Sequence, residues 1–152
     1  MPKVIGDLAP EVSLYDQNNK LRNSKNIKGK PLVLFFYPKD DTPGCTAEVC
    51  GFRDKYDLFK VFGAEVWGVS CDSLKSHKDF ANKNDLPFPL LSDTDGKLRK
   101  EFGVPKFLGI IEGRVTYIID RKGYIRHIFE DLLNSSKHVN EALTILNQIG
   151  TD

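Results

Sequence analysis

The chain has 152 residues, of which 40% are hydrophobic and 28% charged, and its formal net charge is +1. This length suits one ordinary globular domain, so we expect residues 1–152 to form a single domain. The basic residues are scattered, which disfavours nucleic acid or an anionic membrane as the main partner. The apolar runs have the length of strands, so no transmembrane helix is predicted.

Hydrophobic periodicity and turn residues predict the elements in chain order. An N-terminal hairpin begins with the alternating strand 11–15. Three further strands (31–37, 64–70 and 88–91) alternate with a helix over 43–62, which Gly63 ends, and with a helix over 73–84. A turn at 93–96 and a short helix at 97–102 follow, then strands 115–119 and 124–129 joined as a hairpin, and a final helix over 139–149.

This order of elements indicates the fold class. Strands alternating with helices predict parallel strands with right-handed crossovers, and the later hairpin adds antiparallel strands. The order βαβ followed by ββα is typical of a thioredoxin-like fold. We therefore expect an α/β protein with a mixed central sheet flanked by helices and an N-terminal β-hairpin extension.

A short cysteine segment carries the most chemical information. Pro38 and Pro43 bracket a polar loop after the apolar strand 31–37, and Cys45 comes two residues after Pro43. Thr42 is placed to cap the following helix, with Pro43 at its first position. Cys45 then lies in the first turn, where free backbone N–H groups and the helix dipole favour a thiolate. The segment therefore predicts a reactive thiol.

A second thiol, Cys50, lies five residues after Cys45. On an intact helix, this spacing places the two Cα atoms roughly 8.7 Å apart. A disulfide requires Cα atoms within about 7 Å of each other. If Cys50 pairs with Cys45, the first helical turns must unwind, and we expect faster amide exchange over residues 43–53 after oxidation. The alternative is that Cys50 is a small apolar residue of the core.

The remaining cysteine and the histidines have weaker patterns. Cys71 follows the strand 64–70 and is expected to be an unreactive thiol, with an alternative resolving thiol or an intermolecular link as the other interpretations. His77 and His138 are predicted on exposed helix faces and His127 on a strand, and none of them is assigned to catalysis. A zinc site is disfavoured, because its candidate ligands have unusual spacing and lie partly on a helix; these candidates are Cys45, Cys50, Cys71 and His77.

The segment FYPKDDTPGCTAEVCGFRD, residues 36–54, resembles the peroxiredoxins. In particular it is similar to the PrxQ subgroup, also called bacterioferritin comigratory proteins. Further similar segments, at 67–72, 76–80, 89–93, 102–105 and 113–120, extend the resemblance over nearly the whole chain. The family's active-site pattern, Pro-x-x-x-Thr-x-x-Cys, is present as Pro38, Thr42 and Cys45. The resemblance also implies that Arg114 faces the thiolate; the sequence alone would make it a solvated charge at a strand end.

The resemblance implies a thiol-dependent peroxidase that reduces hydrogen peroxide and organic hydroperoxides. Cys45 would be the peroxidatic thiolate, with Thr42 and Arg114 holding the peroxide oxygens and Pro38 shielding the sulfur. Cys50 would resolve the Cys45 sulfenic acid as an intramolecular disulfide. Thioredoxin, or alternatively glutaredoxin, would reduce that disulfide. No metal, haem or flavin cofactor is implied, and the resemblance implies a monomer.

Two other functions are compatible with the cysteine pair. A thioredoxin-like disulfide reductase is weakened by the absence of a Cys-x-x-Cys motif. A peroxide-responsive redox sensor or chaperone-like protein could use the same local unwinding, but it would need only one oxidation event. The N-terminal residues 1–7 contain neither a signal core nor a transit pattern, so a bacterial cytoplasmic protein or a mature plastid form (stroma or lumen) is expected.

Overall fold

In the computed structural model, which describes residues 2–150 apart from the Phe107 side chain, five strands form a central mixed sheet. In chain order the elements are β1 (Ser13–Tyr15), β2 (Leu21–Asn23), a 3-10 helix (Ser24–Ile27), β3 (Leu32–Phe36), α1 (Pro43–Asp54), α2 (Tyr56–Val61), β4 (Glu65–Ser70), α3 (Leu74–Lys83), β5 (Leu90–Ser92), α4 (Lys97–Phe102), β6 (Lys106–Phe107), β7 (Ile111–Glu112), β8 (Val115–Ile119), β9 (Ile125–Glu130) and α5 (Ser135–Ile149).

The sheet has the strand order β5-β4-β3-β8-β9. Strands β3, β4 and β5 are parallel, whereas β8 is antiparallel to β3 and β9 is antiparallel to β8. The β1–β2 hairpin forms a separate two-stranded sheet. The predicted mixed sheet and N-terminal hairpin are therefore confirmed. Among the described residues, no helix has both the length and the apolar composition needed to cross a membrane.

Strand β3 lies at the centre of the sheet, and all five of its residues are buried. Because side chains alternate along a strand, Val33 and Phe35 pack on one face together with residues of α1, α3 and α5. Leu34 and Phe36 pack on the other face with α4. The loop that follows β3 consequently emerges from the middle of the molecule, held by packed layers on both sides.

The prediction of one helix over residues 43–62 is wrong. The chain leaves helical geometry at Lys55, where φ is −103° and ψ is 7°, and α2 begins at Tyr56. Phe59 of α2 packs against Phe52 of α1, with ring centroids 5.5 Å apart. The predicted end at Gly63 is confirmed, since its φ of +69° suits glycine and its N–H donates to Lys60 O.

Other elements also differ from the prediction. Helix α5 begins at Ser135 rather than at residue 139, because polar residues form its first turn. Strand β5 begins at Leu90 rather than at residue 88. The short β6–β7 hairpin was not predicted, since two-residue strands leave no periodic pattern in the sequence.

Candidate active site

The predicted thiol Cys45 lies in the first turn of α1, two residues after Pro43 at the helix start. Its side chain is buried, with 1% exposure. The sulfur therefore lies close to the N-terminal end of the helix, where the helix dipole favours negative charge. This placement agrees with the prediction from the sequence.

Thr42 occupies the N-cap position, as predicted, but its hydroxyl makes no capping bond. The hydroxyl donates instead to the carbonyl of Lys39 within the preceding loop, at 2.9 Å. Its own hydrogen is thus taken up by the loop, and its oxygen lone pairs remain able to accept a further hydrogen bond. Pro38 lies half-buried near the start of the same loop, two residues after the end of β3.

Arg114 is buried against the thiol, with 4% exposure, just before β8. Its Nη2 donates to the Cys45 sulfur at 3.3 Å, and its Nε donates to the carbonyl of Leu132 at 3.0 Å. Its Nη1 forms an ion pair with Glu48 at 2.5 Å. Three contacts in different directions hold the planar guanidinium, which fixes its orientation toward the sulfur.

A glycine allows this close approach between Arg114 and α1. A Cβ atom at Gly44 would lie 3.0 Å from Arg114 Nη2, so a side chain there would press on the guanidinium. The carbonyl of Gly44 also accepts a hydrogen bond from the Ser135 hydroxyl at 2.7 Å. The first turn of α1 is therefore anchored to the start of α5.

Glu48 is a site residue that sequence reasoning missed. It is fully buried, and burial raises the pKa of its carboxyl to about 7 against the opposing effect of Arg114. Its second carboxylate oxygen has no hydrogen-bond partner among the described residues. A signal was present in the sequence, because residues three apart share a helix face and Glu48 follows Cys45 at that spacing.

His138 was predicted on the surface, and this prediction is wrong. It is fully buried on α5, where its Nδ1 lies 3.6 Å from the Glu48 carboxylate. Its Nε2 lies 2.7 Å from the carbonyl of Asp131 and its Nδ1 lies 2.8 Å from Thr116 Oγ1. Burial lowers the pKa of His138 to about 4, which favours the neutral ring, and we assign the tautomer that donates from Nε2 because the Asp131 carbonyl can only accept.

His77 is likewise buried rather than exposed, because it faces inward from α3 together with Phe80 and Ala81. Its Nδ1 lies 2.7 Å from the Asp40 carboxylate and its Nε2 lies 2.9 Å from the carbonyl of Leu91. Asp40 belongs to the loop between β3 and α1. The His77–Asp40 pair therefore ties this loop to α3. His127 lies on β9, as predicted.

Cys50 is half-buried on the same intact helix as Cys45, and both thiols are free. The Cys50 thiol donates to Asn84 Oδ1 at 3.5 Å. Arg53, also on α1, donates to the backbone carbonyl of Asn84 at 2.7 Å. These contacts hold the second half of α1 against the C-terminal end of α3.

Cys71 lies next to Arg99, away from the helix that bears the other two cysteines. Burial raises the pKa of the Cys71 thiol, and the nearby Arg99 partly opposes this effect. The four residues considered as zinc ligands do not come together in the part of the chain that the structure describes. The group there whose candidate ligand atoms lie within 4.8 Å of one another is Asp40, Asp72 and His77.

Comparison with known proteins identifies the family. The AhpC/TSA family profile matches residues 5–128. The chloroplastic peroxiredoxin Q of Triticum aestivum is 48% identical over 145 residues, covering 95% of this chain and 67% of that protein. This chain belongs to the peroxiredoxins, in the PrxQ subgroup. It is therefore a peroxidase of the oxidoreductase class, as the resemblance implied.

Solved structures of peroxiredoxins share the fold. A PrxQ mutant from Xylella fastidiosa has a TM-score of 0.91 at 31% identity and covers 98% of each chain. The bacterioferritin comigratory protein of Xanthomonas campestris has a TM-score of 0.85 at 31% identity, with 91% of this chain and 92% of that chain covered. The thioredoxin-like fold predicted from the order of elements is thereby confirmed for this peroxiredoxin.

Proposed function

We propose that this peroxiredoxin reduces hydrogen peroxide and organic hydroperoxides through Cys45, with Cys50 as the resolving thiol. The observation that carries the proposal is the buried contact between Arg114 Nη2 and the Cys45 sulfur at the start of α1. A guanidinium and a helix N-terminus both stabilise a thiolate, which is the nucleophilic form of cysteine. The other proposed site residues, Thr42 and Pro38, lie in the loop leading to this helix.

The reaction begins when the Cys45 thiolate attacks the terminal oxygen of the peroxide. The S–O bond forms as the O–O bond breaks, and hydroxide or alkoxide leaves and takes up a proton. Arg114 N–H groups stabilise the negative charge that develops on the oxygens, and the Thr42 hydroxyl oxygen accepts a hydrogen bond from the peroxide O–H. Pro38 shields the sulfur from water. The product is a sulfenic acid on Cys45.

The second step is condensation of the sulfenic acid with the Cys50 thiol, which forms a disulfide and releases water. Both cysteines lie on the continuous helix α1, where ideal geometry places their Cα atoms roughly 8.7 Å apart. This separation exceeds the limit of about 7 Å for a disulfide, so α1 must unwind locally. A dithiol reductant then restores both thiols by thiol–disulfide exchange.

We further propose thioredoxin, or glutaredoxin, as this reductant and a single-domain monomer of residues 1–152 as the working unit. Organic hydroperoxides are included because the similar bacterioferritin comigratory protein of Xanthomonas campestris has alkyl peroxide reduction activity. For the compartment we propose the plastid, as in the plant relatives named chloroplastic, or a bacterial cytoplasm.

Intact mass and peptide mapping after one equivalent of hydrogen peroxide test this proposal. We expect the reduced protein to lose about 2 Da, mapped to a Cys45–Cys50 disulfide. With thioredoxin and its reductase supplied, peroxide should be consumed over many turnovers. The Cys45→Ser variant should consume none, and Cys50→Ser should stop at the sulfenic acid.

Each other outcome contradicts one part of the proposal. A gain of about 16 Da confined to Cys45 would keep the peroxidatic thiol but reject Cys50 as its resolving partner. A disulfide that forms once without sustained turnover would favour the redox sensor. A Cys45 that does not react would reject the proposed site altogether.

A further inference from the structure

A second buried arginine, Arg99, contacts the backbone beside two of the proposed site residues. Arg99 lies on α4 and is 3% exposed. Its Nη2 donates to the carbonyl of Tyr37 at 2.8 Å, and its Nη1 donates to the carbonyl of Gly113 at 3.1 Å. Tyr37 directly precedes Pro38, and Gly113 directly precedes Arg114. One guanidinium therefore binds the peptide groups that lead into both residues.

The sheet cannot make this connection by itself. The antiparallel ladder between β3 and β8 ends at the Phe36–Val115 pair. The next residues in register are Tyr37 and Arg114, and beyond them Pro38 has no N–H to donate. The carbonyls of Tyr37 and Gly113 belong to two separating chain segments. The planar, forked guanidinium of Arg99 supplies donors to both at once.

The position of Arg99 is itself well determined. The backbone N–H groups of Leu98 and Arg99 donate to the two carboxylate oxygens of Asp93, at 3.0 and 2.9 Å. The Asp93 N–H in turn donates to Ser70 O at the end of β4. The guanidinium carbon lies 5.6 Å from the centroid of the Phe36 ring, within cation–π range. Arg99 thus projects from a turn that is fixed to the central sheet.

The charge and the space around Arg99 also fit a positioning role. Its Nε lies 3.4 Å from the Glu112 carboxylate, which compensates the buried charge. A Cβ atom at Gly113 would lie 2.4 Å from the carbonyl oxygen of Pro105, so the chain is tightly packed there. Small displacements of the Gly113 peptide would therefore be transmitted to the adjacent Arg114.

We propose that Arg99 is a positioning residue for the peroxidase reaction, which sets the separation between the loop bearing Pro38 and the strand end bearing Arg114. This inference rests on the proposed function, in which these two residues surround the peroxide. The donors of Arg99 are directed at the Tyr37 and Gly113 carbonyls rather than at the Cys45 sulfur. It acts through these two carbonyls, and its loss would let the two sides of the site drift apart.

The test compares two reactions of Cys45 in the Arg99→Met variant. Reaction with hydrogen peroxide requires oxygens aligned between the two sides of the site, whereas alkylation by iodoacetamide, measured at a pH where the thiol is fully ionised, requires only an accessible thiolate. A displacement of about 1 Å can lower the rate of an aligned reaction by about 10²-fold. We therefore expect the peroxide rate constant of Arg99→Met to fall by about 10²-fold while its mapped alkylation rate stays close to wild type.

The matched control is Arg121→Met. Arg121 also donates to two backbone carbonyls, those of Gly150 and Phe62, but it lies in the turn between β8 and β9, at the opposite end of β8 from Arg114. Its peroxide rate constant should equal that of wild type. If Arg99→Met does not fold, Arg99→Lys carries the test, because an ammonium keeps the charge but does not present the forked donors. The peroxide rate constant of Arg99→Lys should also fall, while its alkylation rate stays close to wild type.

Two results would overturn the inference alone: a folded Arg99 variant with a wild-type peroxide rate, or equal losses in peroxide reaction and alkylation. The second result would mean that the substitution merely disturbs the fold. A wild-type protein whose Cys45 does not react with hydrogen peroxide would reject the proposed function as well. The wild-type measurement therefore separates the two failures.

Discussion

At the scale of single residues, the buried pair of Glu48 and His138 makes the free energy of unfolding depend on pH. Burial raises the pKa of Glu48 from 4.5 to about 7 and lowers the pKa of His138 from 6.5 to about 4. Burial therefore favours the neutral forms of both groups. Among the described residues, the charge that contacts the thiol is that of Arg114. The effects of Glu48 and His138 on the free energy of unfolding have opposite signs.

The stabilising contribution of Glu48 is fully present below pH 4.5 and is lost as pH rises through about 7, because the folded state binds its proton more tightly. The contribution of His138 is present above pH 6.5 and is lost as pH falls through about 4. In the wild-type protein, the effects of Glu48 and His138 on the free energy of unfolding oppose each other between about pH 4 and pH 7.

Single substitutions should therefore reveal opposite slopes. Relative to wild type, the free energy of unfolding of Glu48→Gln should fall as pH decreases from 7 toward 4.5, by up to about 3 kcal/mol. The free energy of unfolding of His138→Gln, relative to wild type, should rise by a similar amount as pH decreases from 6.5 toward 4. Urea unfolding across this pH range measures both. The exposed Glu101→Gln variant should follow wild type, and parallel curves for all variants would contradict the assignment.

At the scale of elements, α1 is held at both ends by neighbouring helices. Ser135 of α5 binds Gly44 in the first turn, and Asn84 at the end of α3 binds Cys50 and Arg53 in the last turns. The proposed Cys45–Cys50 disulfide requires α1 to unwind, so these contacts would oppose its formation. The contact of Cys50 with Asn84 must break before the thiol can move toward Cys45.

The Asn84→Ala variant should form the Cys45–Cys50 disulfide faster. The substitution removes the acceptor of the Cys50 thiol and the side-chain bond from Asn84 Nδ2 to Phe80 O. Since one such bond contributes about 1 kcal/mol, the resolving step should accelerate about two- to fivefold. Rapid-quench mass spectrometry after a peroxide pulse measures the rate at which the Cys45–Cys50 disulfide forms. The exposed Asn82→Ala on the same helix is the control, and equal rates in the two variants would contradict this role.

At the scale of the whole molecule, α3 joins the active-site loop to the edge of the sheet. Asp40 in the loop accepts hydrogen bonds from Tyr37 and Ser76 and pairs with His77, whose other nitrogen contacts Leu91 on β5. The loop is thus connected to β3, α3 and β5 through one buried carboxylate. We expect this cluster to contribute to global stability as well as to the shape of the site.

The His77→Leu variant should lower the free energy of unfolding by about 2–3 kcal/mol, because it removes the contacts of His77 with the buried Asp40 carboxylate and with the Leu91 carbonyl. A matched control exists on the same helix. Lys83 pairs with Asp41 of the same loop, but these side chains are 66% and 62% exposed. Lys83→Ala should therefore cost at most about 1 kcal/mol. Similar losses in the two variants, measured by urea unfolding, would contradict the importance of the buried pair.

Much of the molecule follows from local sequence. The apolar run before the cysteine loop favoured a buried strand, and Pro43 and Gly63 mark helix ends through their own backbone restrictions. The sequence also determined that Cys45 lies at a helix start and that Cys50 cannot reach it on an intact helix. These properties depend on residues close together in the chain, and the family pattern of Pro38, Thr42 and Cys45 is equally local.

Only the tertiary structure decided which distant groups surround the thiol. Arg114 was assigned through resemblance, and Glu48, His138, His77 and Arg99 were not assigned to the site at all. A polar residue on a helix has the same local pattern whether it faces solvent or a buried partner from another element. The helix break at Lys55 was also missed, since the apolar spacing of Phe52, Tyr56 and Phe59 continues through it. The sequence therefore indicated the proposed nucleophile, and long-range packing determined its electrostatic surroundings.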